Sequence, residues 1–438
     1  MLDLQTILNE TDEQTLADLS LSDQAKGMKA SEILVIAYAV KAAIARGEDI
    51  ANFTVGDFSP AEFQIPDALK AYTIDALRAN ATNYPPAHGT PELREALQDH
   101  YADRLDLKFP LDAFVVASGA RPVLYAAYQT LLNQGEVVVT PAPSWNNTNF
   151  CQLVGAEHVV VRTSPELGFM PTARDLEPHL ETARLLVLCS PMNPAGTLIE
   201  ENQLREICEL IVAENRRRLA ENRRTLFLIY DQVYWMLTLG QRTHVTPQQV
   251  CPEIAPFCIL TDAVSKSFAG TGLRVGWAAA PPFLASRLKS LMTHMGAWAP
   301  KPEQLGTAHF LQNREAVDEY LVRFRERIRS RLTALYDGFT AMAAEGLPVA
   351  AIEPQGAIYL SAYIDYRELP GINNDVELTQ FLLEQAGCAV VPFSAFGDSA
   401  NVGWFRFSVG AVTDEEIAAV LPRIRDAMRT LQSGAGQH

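Results

Sequence analysis

The sequence predicts an α/β fold: a mostly parallel seven-stranded sheet in a large domain, plus a smaller α+β domain from the N-terminal segment and the C-terminal third. Three observations predict it. Short apolar runs recur at 113–118, 136–140, 158–162, 185–189, 226–230, 257–261 and 275–280, separated by helical or loop segments. Continuous Val/Ile/Leu runs without period 2 are the pattern of strands buried on both faces, and alternation with helices implies parallel order. Near residue 310 the pattern changes to a helical stripe of Val317, Leu321, Phe324, Ile328, Leu332 and Leu335, flanked by arginines at 323, 325, 327, 329 and 331. It reads as a long amphipathic helix leading into a second domain. The 438 residues also exceed one core by the prior of ~100–200 residues per domain. The expected division is 1–60 as an N-terminal arm and part of the small domain, 61–310 as the large domain, and 311–438 as the small C-terminal domain.

In order, residues 1–30 read as an arm. Ser31 is expected to cap a helix over 32–46 that ends at Gly47. A short strand and turn over 52–60 contain Gly56, and a helix follows over 66–80. The loop from Asn83 through Tyr84, Pro85 and Pro86 enters a helix near Pro91. The strand at 113–118 breaks at Ser118-Gly119-Ala120-Arg121-Pro122, and a helix runs to about 132. Beyond the long helix come a strand at 356–364, a helix at 375–387, strands at 388–391 and 405–409, and a C-terminal helix from 413. Ligands on parallel sheets collect at the carboxyl ends of strands, where Ser118, Trp145, Asn193, Asp231 and Lys266 fall.

The formal net charge is −16 and the pI near 5.0, which argues against nucleic acid or an anionic membrane as the main partner. Cys151, Cys189, Cys208, Cys251, Cys258 and Cys388 form no Cys-x-x-Cys pair; buried free thiols and a reducing cytoplasm are expected. The first fifteen residues are not a signal peptide, and no run of 18 apolar residues suggests a membrane span. Gly is never followed by Lys, the Gly270-x-Gly272 spacing misses the dinucleotide fingerprint, and the histidines are scattered. No nucleotide phosphate loop or metal site is therefore expected. Arginines at 216–218 and 223–224 read as a solvated helix face.

Lys266 follows a buried strand and precedes three glycines and Arg274. A buried lysine must lose its charge or find a partner, and lysine forms Schiff bases with aldehydes. Pyridoxal phosphate (PLP) uses such a lysine; its ring nitrogen wants an acid and its phosphate wants donors. Asp231 ends the run Leu226-Phe227-Leu228-Ile229-Tyr230 and would serve a pyridinium nitrogen. At about 4 Å and an effective dielectric near 20, that pair is worth roughly 4 kcal/mol, or about 3 pKa units. Tyr234 could reach the ring's phenolic oxygen, Asn193 the same oxygen or a carboxylate, and Trp145 could stack on the ring. Gly119 and Ala120 open a helix whose free N–H groups suit an anion, and Arg274 adds a charged donor. Arg406, between apolar neighbours, should face a carboxylate. Taken singly, each has a plain structural reading as a packed aromatic, a turn or an ion pair.

In order and spacing, Asn193-Pro194-Ala195-Gly196, Asp231-x-x-Tyr234, Ser265-Lys266, Arg274 and Arg406 resemble the class I/II aminotransferases of fold type I, the aspartate aminotransferase branch. The resemblance runs from about residue 30 to the C-terminus. It implies that Lys266 forms the Schiff base and moves the proton, and that Asp231 lies under the ring nitrogen. It places Tyr234 and Asn193 on the phenolic oxygen, with Asn193 also near the substrate carboxylate. It further implies that Trp145 stacks on the ring and that Gly119, Ala120, Arg121 and Arg274 surround the phosphate. Arg406 resembles the arginine that binds the substrate α-carboxylate, with the Gly56 backbone opposite. Tyr84 resembles the tyrosine that reaches the neighbouring subunit's phosphate, implying a homodimer with shared sites.

Two positions stand out. Ala263 replaces a serine that many relatives carry three residues before the lysine. Arg121 stands where several bacterial aspartate-specific relatives carry a lysine, so it either reads a distal carboxylate or is a bystander. The expected activity is transfer of an amino group from an L-amino acid, aspartate-like by preference, to a 2-oxo acid such as 2-oxoglutarate. A PLP-dependent lyase or synthase would keep the same cofactor residues, and a non-catalytic PLP-binding regulatory module is a further alternative.

Overall fold

The structure is a computed structural model and describes residues 4–9, 11–28, 32–399 and 402–433. The seven apolar runs form one sheet. Its spatial order is Phe114–Ala117, Gly276–Ala279, Cys258–Ala263, Phe227–Asp231, Ala183–Cys189, Val137–Ala142 and Glu157–Arg162. Only Gly276–Ala279 runs antiparallel, to both of its neighbours; the other pairings are parallel. Successive side chains point to opposite faces of a strand. Leu186, Leu228 and Leu260 accordingly enter one core, and Leu185, Val187, Ile229 and Ile259 enter the other. Both faces are covered, which is why these runs lack polar alternation.

The chain order reverses beside Val137–Ala142: the next strand lies on one side of it and the following strand, Ala183–Cys189, on the other. The loops after these two strands carry Trp145 and Asn193. That crevice is where such sheets bind ligands.

A separate core surrounds a four-stranded antiparallel sheet, in the order Val391–Pro392, Trp404–Ser408, Tyr359–Ile364 and Val349–Ala351. The N-terminal segment joins it, since Ala51–Asn52 pairs in parallel with Cys388–Ala389. The strand expected at 388–391 is thus two short strands in different sheets. The long helix spans Arg314–Ala344 and buries the stripe read from sequence.

Two arginine readings are corrected. Arg331 does not flank the helix stripe in solvent: it is fully buried, bonded to Glu62 and, at 3.3 Å, to Asp414. Arg218 is likewise buried, donating to the carbonyls of Leu180 and Ala183 at 2.6 and 2.8 Å. A guanidinium carries five donors, so it can enter a core where carbonyls and carboxylates converge on it. The arm expected over 1–30 includes helices Leu4–Asn9, Glu13–Ser20 and Asp23–Gly27, the latter two with no buried residue. The next helix is Glu32–Ala45; its expected cap, Ser31, lies outside the described residues. Among the described residues, no helix is long and apolar enough to cross a membrane.

Candidate active site

Asp231 is the last residue of its strand. One carboxylate oxygen accepts from the Val233 N–H and the Thr261 hydroxyl, both at 3.2 Å. Burial pushes its pKa up to about 6, despite these donors and the nearby Lys266. Among the described residues, no cation is in contact with this acid.

Lys266 sits in the one-turn helix Val264–Ser267, directly after the strand Cys258–Ala263. Its Nζ donates to the Gly56 carbonyl. Burial lowers the lysine pKa to about 8; Arg406, Arg121 and Arg274 push the same way, and Asp57 opposes them. About a tenth is therefore free amine at pH 7, the form that attacks a carbonyl.

The turn at Ser118-Gly119-Ala120 starts the helix Ala120–Leu131 with no side-chain cap. Its first N–H groups are left for an anion. Arg274 anchors beside them, donating to the carbonyls of Thr271 at 2.8 Å and Ser118 at 2.9 Å. Glycine is required here on two counts. A Cβ on Gly119, at φ +90°, would lie 2.3 Å from an Arg274 nitrogen. A Cβ on Gly276 would lie 2.5 Å from the Ala120 nitrogen. Ala263 is buried in the core and offers no hydroxyl, while Ser265 and Thr271 lie along the cleft.

On the small-sheet side, Arg406 is buried in the strand Trp404–Ser408. It donates to the Asn193 side-chain oxygen at 3.0 Å and the Thr54 carbonyl at 2.5 Å. Its Nε has no partner, and no carboxylate among the described residues pairs with it. The guanidinium lies between the rings of Tyr359 and Phe396, at 4.8 and 4.9 Å. A buried cation with an orphaned donor calls for an anion. Asn193 is brought here because its turn packs against the small sheet: Gly196 accepts from the N–H groups of Gln355 and Gly356.

These groups line one cleft of about 580 Å³. Ten of the twelve residues singled out from sequence face it: Gly56, Ala120, Arg121, Trp145, Asn193, Asp231, Tyr234, Lys266, Arg274 and Arg406. Gly119 backs the cup through Arg274. Tyr84 lies apart, 82% exposed and edge-on to Trp298. Arg121 stacks over the Trp145 ring at 4.5 Å. The Tyr234 hydroxyl is 2.6 Å from that of Tyr359. Tyr359, Thr261, Cys189 and Asp57 were not singled out from sequence, and no motif spacing marks them. Tyr359 reads as one more aromatic in an apolar strand until Arg406 is seen above its ring.

The donor set fits pyridoxal phosphate. The uncapped helix and Arg274 suit a phosphate, Asp231 a ring nitrogen, Lys266 an aldehyde and Arg406 a carboxylate. The aminotransferase class I and II family matches residues 48–424. A probable aspartate/prephenate aminotransferase of Aquifex aeolicus is 30% identical over 94% of this chain and 99% of its own. The Rhizobium meliloti aspartate aminotransferase structure superposes with a TM-score of 0.84 at 26% identity, covering 94% of this chain and all of that one. The Thermus thermophilus aspartate aminotransferase with maleate gives 0.83 at 27% identity, over 93% and 99% of the two chains. The chain belongs to the class I and II aminotransferases, which use pyridoxal phosphate to move an amino group from an amino acid to a 2-oxo acid.

Proposed function

We propose that the amino donor is a dicarboxylic amino acid of the aspartate type, that 2-oxoglutarate or a similar oxo acid accepts the group, and that the enzyme works as a homodimer. The observation that carries the donor class is Arg121, a guanidinium in the same cleft as Arg406 that stacks on Trp145 and has no carboxylate bonded to it among the described residues. Two such cations in one cleft suit two carboxylates. The Aquifex and Rhizobium relatives, named for aspartate, favour the same reading.

When bound, pyridoxal phosphate supplies an aldehyde for amine exchange and a ring that draws electrons from the substrate Cα. The chain's residues do the rest. Arg406 and Asn193 fix the α-carboxylate and so orient Cα toward the Lys266 amine. Lys266, as free amine, takes the proton from Cα and returns it on the far side of the exchange. Asp231 holds a proton on the ring nitrogen by its negative charge. Tyr234, through its hydroxyl, tunes the phenolic oxygen. Ala120 and Arg274 would hold the phosphate, Gly119, whose N–H donates to the Ala117 carbonyl, would shape the turn beside them, and Trp145 would pack against the ring.

In the dimer, Tyr84 of one subunit completes the phosphate site of the other. Its exposure in the single chain supports this. The pairing of Ala51–Asn52 with Cys388–Ala389 supports residues 61–310 as the PLP-binding domain, with 1–60 and 311–438 as its smaller companion. The free thiols support a reducing, cytoplasmic setting. A spectral titration tests the donor class. Aspartate or glutamate should discharge the cofactor's absorbance at far lower concentration than alanine, leucine or phenylalanine; equal response across the panel would refute the dicarboxylate reading.

A further inference from the structure

The cleft holds a second acid besides Asp231. Asp57 lines it immediately after Gly56, whose carbonyl accepts from Lys266 Nζ. A carboxylate here is conspicuous, because the proposed substrates and the cofactor's phosphate are all anions. An acid in such a place raises the cost of binding them unless a cation faces it.

Asp57 is firmly placed. One side-chain oxygen accepts from the Phe58 N–H at 2.8 Å, which holds the carboxylate in the cleft lining. The backbone is pinned beside the small sheet: Ser59 N–H donates to the Gly410 carbonyl at 2.9 Å, and a Cβ on Gly410 would lie 2.1 Å from the Asp57 carbonyl. The cleft's arginines are engaged elsewhere. Arg274 is bonded at the Ser118 turn, Arg406 at Asn193 and Thr54, and Arg121 is stacked on Trp145. The amine of Lys266 remains.

We propose that Asp57 is the counter-anion of the amine end of the cleft, holding an ammonium group against the Gly56 wall: first that of Lys266, then that of the incoming amino acid which displaces it. The second half rests on the transaminase reading above; the first does not. Among the charges acting on Lys266, Asp57 is the strongest that favours the ammonium form. Arg406, which would take the α-carboxylate, lies over the Tyr359 ring, and the α-ammonium of the same substrate would then lie on the Lys266 side of a cleft whose lining includes Asp57. A 2-oxo acid has no such group, so Asp57 gives the acceptor nothing.

The test starts with the cofactor-free chain. Competitive labelling with acetic anhydride, read by mass spectrometry on the peptide carrying Lys266, gives the midpoint of that amine between pH 6 and 10. Asp231, Tyr234, Arg121, Arg274, Tyr359 and Arg406 face the amine from the surrounding elements and stay unchanged. Asp57→Asn should lower the midpoint by about one pH unit, from about 8 toward 7, about a fivefold gain in free amine at pH 7, and Asp57→Glu should restore it. Asp57→Ser serves if the asparagine variant does not fold. The loaded enzyme then gives a second readout: KM for the amino acid should rise about tenfold while KM for the oxo acid stays within twofold. An unmoved midpoint in a folded neutral variant, or a donor KM that rises no more than the acceptor's, overturns the proposal. The labelling uses neither cofactor nor substrate, so its failure would leave the transaminase reading untouched, and the reverse holds too.

Discussion

Arg406 donates from one guanidinium nitrogen to the Asn193 side-chain oxygen at 3.0 Å, and this bond ties the small antiparallel sheet to the loop after the strand Ala183–Cys189. It fixes the fork while Nε stays without a partner. Lysine cannot reproduce a planar two-pronged contact. Arg406→Lys should therefore raise KM for amino acid and oxo acid alike by roughly 100-fold, about 3 kcal/mol. Steady-state kinetics with both substrates checks this, and a KM change for only one of them would contradict a shared carboxylate site.

Asp231 lets pH be used as a probe of the cofactor-free protein. Its carboxyl ionises near 6 in the fold, against 3.8 ordinarily, chiefly because of burial. The folded state thus binds the proton more tightly, and stability drains away as pH rises from about 4 through 6. Two units correspond to about 3 kcal/mol. Asp231→Asn removes that penalty. The apo variant should melt higher than wild type at pH 7.5 and nearly level with it at pH 4.5, while its activity collapses. A Tm difference of the same size at both pH values would show that ionisation is not the cause.

Gly276 and the Gly119–Ala120 turn touch backbone to backbone, with no room for a methyl group: a Cβ on Gly276 would sit 2.4 Å from the Gly119 carbonyl carbon. Neither side of the contact is a side chain that can swing away. Gly276→Ala should cost about 2–3 kcal/mol of stability and weaken cofactor retention, because the turn it displaces starts the helix proposed to hold the phosphate. Dialysis against phosphate buffer followed by absorbance measures retention. Gly272→Ala, where nothing lies within 4 Å of the added carbon, should behave as wild type in the melt.

Much of this arrangement was legible because its parts are local. The runs ending at Asp231 and Lys266 announce strands by composition, and the loops after them carry the reactive groups. Ligand sites at strand ends follow from the topology alone. What was illegible is long-range. Tyr359 meets Tyr234 across 125 positions, and nothing in either local sequence marks the encounter. Arg331 and Arg218 read as solvated because charge is a poor guide to burial when the partners, Glu62 and the carbonyls of Leu180 and Ala183, are distant in sequence. The strand expected at 388–391 failed for a different reason. Continuous apolar composition does not say that its first half pairs with Ala51–Asn52 and its second with Trp404–Ser408.

Arg121 separates the two readings left by the sequence, a distal-carboxylate reader or a bystander at the cup. Its guanidinium is stacked on Trp145 and has no ion pair among the described residues, so turning toward a substrate side chain would cost the stacking contact alone. Arg121→Ala should lower kcat/KM for aspartate by about 30- to 100-fold, or 2–3 kcal/mol, and that for an aliphatic donor by less than threefold. Equal losses on both donors would assign the residue to the cofactor's phosphate instead.

Tyr84 supplies a test of shared sites that does not depend on solving the assembly. In one chain it stands exposed against Trp298, outside the cleft lining. If it serves the neighbour, the active unit combines Lys266 of one chain with Tyr84 of the other. A Lys266→Ala chain and a Tyr84→Ala chain are then each impaired alone. Unfolded together and refolded, they form mixed dimers in which one site pairs the intact lysine with the intact tyrosine. Random pairing puts half of all dimers in this class, each with one whole site, so activity assayed at cofactor concentrations too low to load sites that lack the tyrosine should recover toward a quarter of wild type. The Tyr84→Ala chain alone should show its loss as weaker cofactor binding, about tenfold in Kd, rather than as a slower chemical step. Were the tyrosine to act within its own chain, no mixed dimer would contain a complete site, and mixing would yield only the average of the two parents.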